Sequence, residues 1–311
     1  MNSKRRLLLA AALVVASGVR AVSFGTALFA APTKSAASAR VNIPRPVRLR
    51  EVRGRGLLVS VWLNSTGPFT FAVDTGAGTT LISPRVAGAS YLKVRSASGR
   101  SISGLSGRVV AVDEATIQTL AVGDRANVFP SAIEAMVTSG LPADIDGVLD
   151  PTQVFSQLGY VIDIPRLELS AFDPQLNPLS TDNQPAEGAV VPWLRERQSR
   201  RPFVQLDNGD RALIDTGSSL GLAIRDSKQA NHTNPSLSRD VGGGQITARR
   251  VRPTTVAIGA LLLRNIPTDL ISGAEVDAPV LIGLSALRPF RLAFDPVHHL
   301  IEIAPVERAR R

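Results

Sequence analysis

The sequence Phe71-Ala-Val-Asp-Thr-Gly-Ala77 occurs a second time, slightly changed, as Ala212-Leu-Ile-Asp-Thr-Gly-Ser218. In both copies an apolar run that favours a buried strand ends at an aspartate, and threonine and glycine follow. Threonine can hold a tight turn with its hydroxyl, and glycine lets the backbone come close to the carboxylate. One such triplet is typical of an ordinary turn, but two in similar surroundings indicate a duplicated unit.

The duplication extends to both sides of the triplets. Before each triplet lie an alternating strand and a hairpin turn, predicted at 65–68 and at 207–210, and the second turn contains Asn-Gly. After each triplet come a Gly-rich stretch, further alternating segments and an apolar element that ends in glycine, Gly147 in the first copy and Gly283 in the second. An ordered series of features that occurs twice predicts two structurally similar lobes.

The repeat sets the domain organisation. We expect a signal peptide or N-terminal anchor at 1–30, a linker at 31–48, a first lobe at 49–180, a connector at 181–187, a second lobe at 188–306 and a basic tail at 307–311. Each lobe should end in a short helical stretch and a hairpin, at 161–172 in the first lobe and at 291–303 in the second. Short strands separated by frequent turns predict an all-β fold.

The N-terminus has the pattern of a secretory signal. Lys4-Arg5-Arg6 precedes an apolar run over 7–19, and small residues around Ala21 offer a cleavage site. The run is short for a membrane span and is followed by Arg20, but an uncleaved anchor stays open as the alternative. Export without any cysteine favours a bacterial envelope, so we expect a periplasmic or secreted protein that contacts membrane only through an uncleaved N-terminal segment.

Composition excludes several classes of function. The chain has 311 residues, of which 44% are hydrophobic and 20% charged, so it can form a packed core. The absence of cysteine excludes thiolate nucleophiles, iron–sulfur clusters and cysteine-ligated zinc. The net charge of +9 is compatible with a polyanionic partner, but no long basic run occurs and only 5% of residues are aromatic. We therefore attribute the positive net charge to a general preference for arginine and expect no nucleic-acid partner.

A pseudo-twofold axis between two such lobes would bring Asp74 and Asp215 face to face. Two carboxylates about 3 Å apart cannot both ionise, so they share one proton. The ionised carboxylate can then act as a general base on water while the protonated one polarises a carbonyl group. This chemistry hydrolyses a peptide bond without a metal, a cofactor or a covalent nucleophile.

The doubled triplet and the two apolar elements that end in glycine resemble the aspartic proteases, both pepsin-like and retropepsin-like, over essentially the whole mature chain. The resemblance implies two pseudo-twofold related β-barrel lobes, an interlobe cleft for a polypeptide substrate, and a monomer with an intramolecular dyad. It implies no metal and no cofactor. Asp74 and Asp215 would be the catalytic dyad, and the supporting residues would be Thr75, Gly76, Thr216, Gly217 and Ser218.

The sequence departs from the family pattern in three ways. Ser218 follows the second triplet where Ala77 follows the first, so only Asp215 should have a hydroxyl near its outer oxygen. The first apolar element carries Asp146 beside Gly147, where an apolar residue is usual. We expect flap-like hairpins at about 96–110 and 240–251, and the first of them lacks the tyrosine of pepsin flaps. The mobile glycines of the first flap candidate would be Gly99, Gly104 and Gly107.

Two alternatives stay open. The chain is also compatible with a non-catalytic module that kept the protease fold and binds peptides or cell-wall material. Retention of both Asp-Thr-Gly triplets argues against this, because a binding module needs no carboxyl pair in its cleft. Each lobe could instead pair with its counterpart in another chain, although covalent fusion makes an intramolecular pair less costly in entropy.

Overall fold

The structure is a computed structural model that describes residues 42–96, 99–129, 132–196, 199–226, 236–239, 244–272 and 280–306. The predicted signal segment at 1–30, the linker up to residue 41 and the basic tail at 307–311 lie outside the described residues. Within those ranges, the chain contains no helix with the length and apolar character needed to span a membrane.

Strands dominate, and the prediction of an all-β fold is confirmed. The strands before residue 173 are β1 (Val47–Arg48), β2 (Arg50–Val52), β3 (Gly56–Leu63), β4 (Thr66–Val73), β5 (Thr80–Ile82), β6 (Val94–Arg95), β7 (Ser101–Ser103), β8 (Val109–Ala111), β9 (Asp113–Ile117), β10 (Leu120–Val122), β11 (Val128–Phe129), β12 (Ile133–Val137), β13 (Gly147–Leu149), β14 (Gly159–Asp163) and β15 (Glu168–Phe172). The later strands are β16 (Ala189–Pro192), β17 (Leu194–Glu196), β18 (Ser199–Gln205), β19 (Arg211–Asp215), β20 (Leu222–Arg225), β21 (Ser236–Arg239), β22 (Gln245–Ile258), β23 (Leu261–Ser272), β24 (Val280–Gly283), β25 (Phe290–Asp295) and β26 (Leu300–Pro305). The helices are short: α1 (Pro84–Ala89), α2 (Pro151–Val154) and α3 (Leu284–Leu287).

Three large sheets contain most of these strands, and β7 and β8 form a separate two-stranded sheet. The first sheet has the order β11-β10-β3-β4-β13-β5-β12-β9-β6, with β2 beside β3, and the second sheet has the order β17-β18-β19-β24-β20-β23-β22-β21. The joint sheet, β1-β15-β14-β25-β26-β16, takes strands from both halves of the chain. In the described residues the strand orders are open paths, without a closed barrel.

The first and second sheets are built alike. In the first, β4 pairs in parallel with β13, and β5 pairs in parallel with β12. In the second, β19 pairs in parallel with β24, and β20 pairs in parallel with β23. The strand that leads into each Asp-Thr-Gly triplet is therefore interior to its sheet. The structure thus repeats the duplication seen in the sequence.

The joint sheet binds the two halves together. Tyr160 on β14 lies opposite Phe294 on β25, and their rings stack with centroids 4.7 Å apart. Phe155 stacks on the other face of Tyr160 and Trp193 packs edge-on against Phe294, with centroid distances of 5.5 and 6.0 Å. Because all four aromatic residues are buried, this row forms a continuous apolar contact from one half to the other.

Most of the predicted turns and hairpins agree with the structure. The hairpins expected at 161–172 and 291–303 are β14–β15 and β25–β26. The turn expected at 207–210 joins β18 to β19, with Gly209 at φ +88°. The turn expected at 65–68 is wrong by two residues, because Asn64 and Ser65 are its central residues, with φ 47° and 67°, and β4 begins at Thr66. Two adjacent residues with positive φ give the turn a twist that matches that of the flanking strands.

Candidate active site

Two interior strands deliver the Asp-Thr-Gly triplets to one place. β4 ends at the buried Val73, one residue before Asp74, and β19 ends at Asp215 itself. The backbone N–H of Asp74 donates to the carbonyl of Leu149 on β13, at 3.1 Å. Because each triplet follows a strand with partners on both sides, the position of each aspartate is fixed by the sheet rather than by a free loop.

The two threonines join the triplets beneath the aspartates. Thr75 N–H donates to Thr216 Oγ1 at 3.2 Å, and Thr216 N–H donates to Thr75 Oγ1 at 3.1 Å. Each hydroxyl then donates to the carbonyl before the opposite aspartate: Thr75 to Ile214 at 2.7 Å and Thr216 to Val73 at 3.0 Å. Both threonines are fully buried, so this reciprocal set of four bonds holds the two halves together out of reach of water.

Each carboxyl group lies against the glycine of the opposite triplet. A Cβ atom built on Gly76 would lie 2.7 Å from Asp215 Cγ, and one built on Gly217 would lie 2.2 Å from Asp74 Cγ. These contacts are closer than any side chain allows, so both positions require glycine. Gly76 N–H also donates to Asp74 Oδ1, and Gly217 N–H donates to Asp215 Oδ1, both at 2.8 Å. The glycines therefore both admit the carboxyl groups and orient them.

The two carboxyl groups lie close enough to change each other's pKa. Burial, the negative charge of Asp74 and the hydrogen bond between the carboxyls raise the pKa of Asp215 well above its ordinary value. Burial also raises the pKa of Asp74, but the hydrogen bond from Asp215 and the N–H groups of Gly76, Ala77 and Gly217 oppose this rise. Because like charges oppose each other, ionisation of one carboxyl group makes ionisation of the other harder.

The structure places Ser218 beside Asp215, but through its backbone. Ser218 N–H donates to Asp215 Oδ1 at 3.0 Å, whereas the Ser218 hydroxyl accepts from Leu220 N–H at 3.3 Å. The expectation that this hydroxyl bonds the outer oxygen of Asp215 is therefore wrong. The hydroxyl is used to close the turn after the triplet, as serine commonly does.

The predicted equivalence of Gly147 and Gly283 is wrong. Gly283 pairs with Asp215, whereas Gly147 pairs with Phe71, three residues before Asp74. Position 147 requires glycine for a different reason than position 283, because a Cβ atom at 147 would lie 2.3 Å from the Phe71 ring. The residue that matches Gly283 in the first half is Asp150, which directly follows β13. The sequence comparison missed Asp150 because it aligned glycine with glycine rather than strand with strand.

The first flap candidate is a hairpin that reaches across to the second half. β7 and β8 pair in register Ser101–Ala111, and Gly107 N–H donates to Gly104 O at 3.1 Å in the connecting loop. Leu105 in that loop packs against an apolar cluster of the second sheet. Gly99 lies before the hairpin with φ +82°, a conformation that favours glycine.

The second flap candidate, at 240–251, is only partly described. Residues 240–243 lie outside the described residues, and β22 begins at Gln245. Next to it, a Cβ atom on Gly244 would overlap the side chain of Ser106 in the first hairpin, at 1.8 Å from its Oγ. The start of β22 and the first hairpin are therefore in direct contact.

These features define a class of protein. An all-β chain in which two like sheets each bring one Asp-Thr-Gly turn to a common centre is consistent with the all-β fold of aspartic proteases. Residues 59–149 also match a family model described as aspartyl protease, and this stretch contains the first triplet. The match supports assignment to the aspartic protease superfamily and to its protease function. No curated protein matches the chain significantly.

Proposed function

We propose that this protein is an aspartic endopeptidase that works as a monomer on polypeptide substrates, with Asp74 and Asp215 as its catalytic dyad. The observation that carries the proposal is the reciprocal crossing of the two turns, in which each carboxyl group lies over the glycine of the other triplet. A protein that only bound peptides would gain nothing from a half-buried and a buried carboxyl group that oppose each other's ionisation. The arrangement is suited to moving one proton between two fixed positions.

The dyad accounts for both steps of hydrolysis. Asp74, as carboxylate, removes a proton from a water molecule, whose oxygen attacks the scissile carbonyl carbon. The carbonyl oxygen takes the proton of Asp215 as its π electrons move onto it, which gives a neutral tetrahedral diol. The diol then collapses: the proton held by Asp74 passes to the amide nitrogen, the C–N bond breaks, and a hydroxyl proton returns to Asp215. The dyad ends as it began, so no cofactor is consumed.

The active form carries one proton, which sets the pH dependence. At low pH Asp74 becomes protonated and can no longer act as the base. At high pH the shared proton leaves Asp215, and the carbonyl is no longer polarised. Because burial raises the pKa of both groups, the active range should lie at higher pH than for two ordinary exposed carboxyls. A bell-shaped profile is expected.

The surroundings of the dyad support an apolar preference at the cleaved bond. Leu220 follows the second triplet, and with Leu194 and Leu105 it packs, partly buried, on the apolar cluster of the second sheet. An extended peptide that enters between the sheets and the β7–β8 hairpin can satisfy its backbone groups by pairing with strand edges. We therefore expect large apolar side chains next to the bond that is cut.

The test is cleavage of a peptide library, analysed by mass spectrometry. Asp74→Asn and Asp215→Asn should each lower turnover by about 1000-fold or more, because either change removes the proton-sharing pair. Asp124→Asn is the matched control, since Asp124 lies in an exposed ion pair with Arg45 and should leave turnover unchanged. Substantial cleavage by either dyad variant would refute the mechanism. Peptide binding without cleavage by the unaltered protein would favour the binding module.

Export to the periplasm or the medium is part of the proposal and rests on the sequence pattern of residues 1–30. N-terminal sequencing of the protein recovered from the cell envelope should find a chain that begins after Ala21 or within 29–32. A cytoplasmic protein with Met1 intact would contradict it.

A further inference from the structure

Asp150 occupies the one position where the two halves of the active centre differ most in charge. In the second half this position is Gly283, where a Cβ would lie only 2.4 Å from the carbonyl oxygen of Leu220. In the first half the chain has room for a full carboxyl group. Asp150 follows β13 directly and serves as the N-cap of α2. A third acidic side chain therefore lies in the layer of structure that supports Asp74.

The carboxyl group of Asp150 is buried and only half satisfied. Oδ1 accepts from Thr152 N–H at 3.0 Å, which is the capping bond of α2. Oδ2 is also buried but has no hydrogen-bond partner among the described residues. Its nearest opposite charge is Arg200 Nε on β18, 3.6 Å away. A helix cap alone does not explain a fully buried acid, because exposed caps serve equally well.

Arg200 connects this acid to the first triplet's turn. Its Nη2 donates to the carbonyl of Gly78 at 3.1 Å, four residues after Asp74, while its Nε faces Asp150. The arginine side chain is about half exposed, so its charge is partly screened by solvent. The ion pair therefore offsets the burial of Asp150 only in part.

Burial and two neighbouring charges affect the pKa of Asp150. The pKa of Asp150 is raised to about 7, mainly by burial; Arg200 on β18 opposes this rise, and the negative charge of Asp74 adds to it. On β14, Tyr160 bonds Thr152 Oγ1 through its hydroxyl, and burial raises the pKa of Tyr160 well above its ordinary value, so it stays neutral. Beside Arg200, Arg201 packs its side chain against Gly78. Since the interaction between Asp74 and Asp150 is mutual, a charge on either carboxyl makes ionisation of the other harder.

We propose that Asp150 is a positioning residue of the active centre. Its negative charge acts on the Asp74/Asp215 pair and sets the upper pH limit of activity, and Arg200 is its counter-ion. Once Asp150 is ionised, its negative charge makes the departure of the last dyad proton more costly. The singly protonated dyad then persists to higher pH. At low pH Asp150 is neutral and has no effect on the protonation of Asp74. The two limbs of the pH profile are therefore affected unequally.

The kinetic test rests on the proposed peptidase function and compares kcat/KM against pH for one peptide. Asp150→Asn keeps the shape of the side chain and its capping oxygen, but removes the charge. Its alkaline limb should move to lower pH by about one unit, with the acid limb unchanged. Arg200→Gln removes the counter-ion of Asp150 and should raise the pKa of Asp150, so its effect is measured on the titration of Asp150 itself.

The matched control is Asp163→Asn, since Asp163 is another buried acid paired with an arginine, Arg166, but lies on β14 in the joint sheet. Its profile should coincide with that of the unaltered protein. The inference is overturned when Asp150→Asn leaves the alkaline limb in place, moves both limbs equally, or gives the same profile as Asp163→Asn.

A second measurement does not need turnover. The carboxyl carbons of aspartate in the full-length chain can be followed by ¹³C NMR through a pH titration. The titration of Asp150 should move to lower pH in the double variant Asp74→Asn/Asp215→Asn, which removes the neighbouring charge, and to higher pH in Arg200→Gln. If these shifts occur in a protein that cleaves no peptide, the proposed function fails while the charge coupling stands. If neither shift occurs, the inference fails whatever the activity.

Discussion

Replacing Thr216 by valine should destabilise the whole molecule, because its hydroxyl takes part in two buried bonds between the halves. The Thr216 hydroxyl donates to Val73 O and accepts from Thr75 N–H. Valine has the same shape but leaves both backbone groups unpaired, and the site is fully buried on both sides. An unsatisfied buried donor or acceptor costs about 1–3 kcal/mol, so the loss of two partners should cost about 2–6 kcal/mol.

The matched control is Thr216→Ser, which keeps the hydroxyl and removes only a methyl group, at a cost of about 1 kcal/mol. Urea unfolding followed by the fluorescence of Trp193, which is buried against Phe294, gives the free energy of unfolding of each variant. Valine should lie at least about 1 kcal/mol below serine. Equal stabilities would show that the four-bond set contributes nothing beyond packing, and would refute the reasoning.

Two further predictions concern the glycine contact and the buried acid. Gly217→Ala should lower peptide turnover by about 100-fold, because the new Cβ must displace the Asp74 carboxyl group. The control Gly88→Ala in α1 should leave turnover unchanged, because the space around its Cβ is open. Equal turnover of the two variants would contradict the close approach of Gly217 and Asp74. Asp150→Asn should gain stability relative to the unaltered protein as pH rises from 4 to 8, by about 2–4 kcal/mol. The sign follows because the folded state holds the pKa of Asp150 at about 7, above the unfolded value, so folding loses stability as pH rises through that range. Parallel curves of unfolding free energy against pH would contradict this.

The fold could be predicted because the same order of strands, turns and Asp-Thr-Gly triplet occurs twice in the sequence. The two triplets, the hairpins at 161–172 and 291–303 and the turn at Gly209 all depend on local patterns of apolar alternation and glycine, and the structure has them where expected. The approach of Asp74 and Asp215 followed from duplication alone. Their catalytic role stays a prediction until turnover is measured.

The remaining features depend on pairing between distant strands, which no local pattern encodes. Gly147 looked like the partner of Gly283 because both are glycines next to apolar residues, but the register of β13 against β4 puts Asp150 there. Arg200 is one of many arginines in the sequence, and only the packing of β18 near α2 brings it to Asp150. The Ser218 hydroxyl bonds Leu220 rather than Asp215, a choice decided by rotamer and turn geometry.

The structural difference between the two halves makes the active centre asymmetric. A peptide runs from its N-terminus to its C-terminus, and a cleft with true twofold symmetry would accept it equally well in either orientation. Here Asp150 and Arg200 lie near the turn of the first triplet, whereas Gly283 pairs with Asp215 in the second half, so the two halves of the centre are not interchangeable. A bound chain should therefore thread one way only. A duplicated gene that keeps both copies on one chain can make that distinction, whereas two identical subunits start without it.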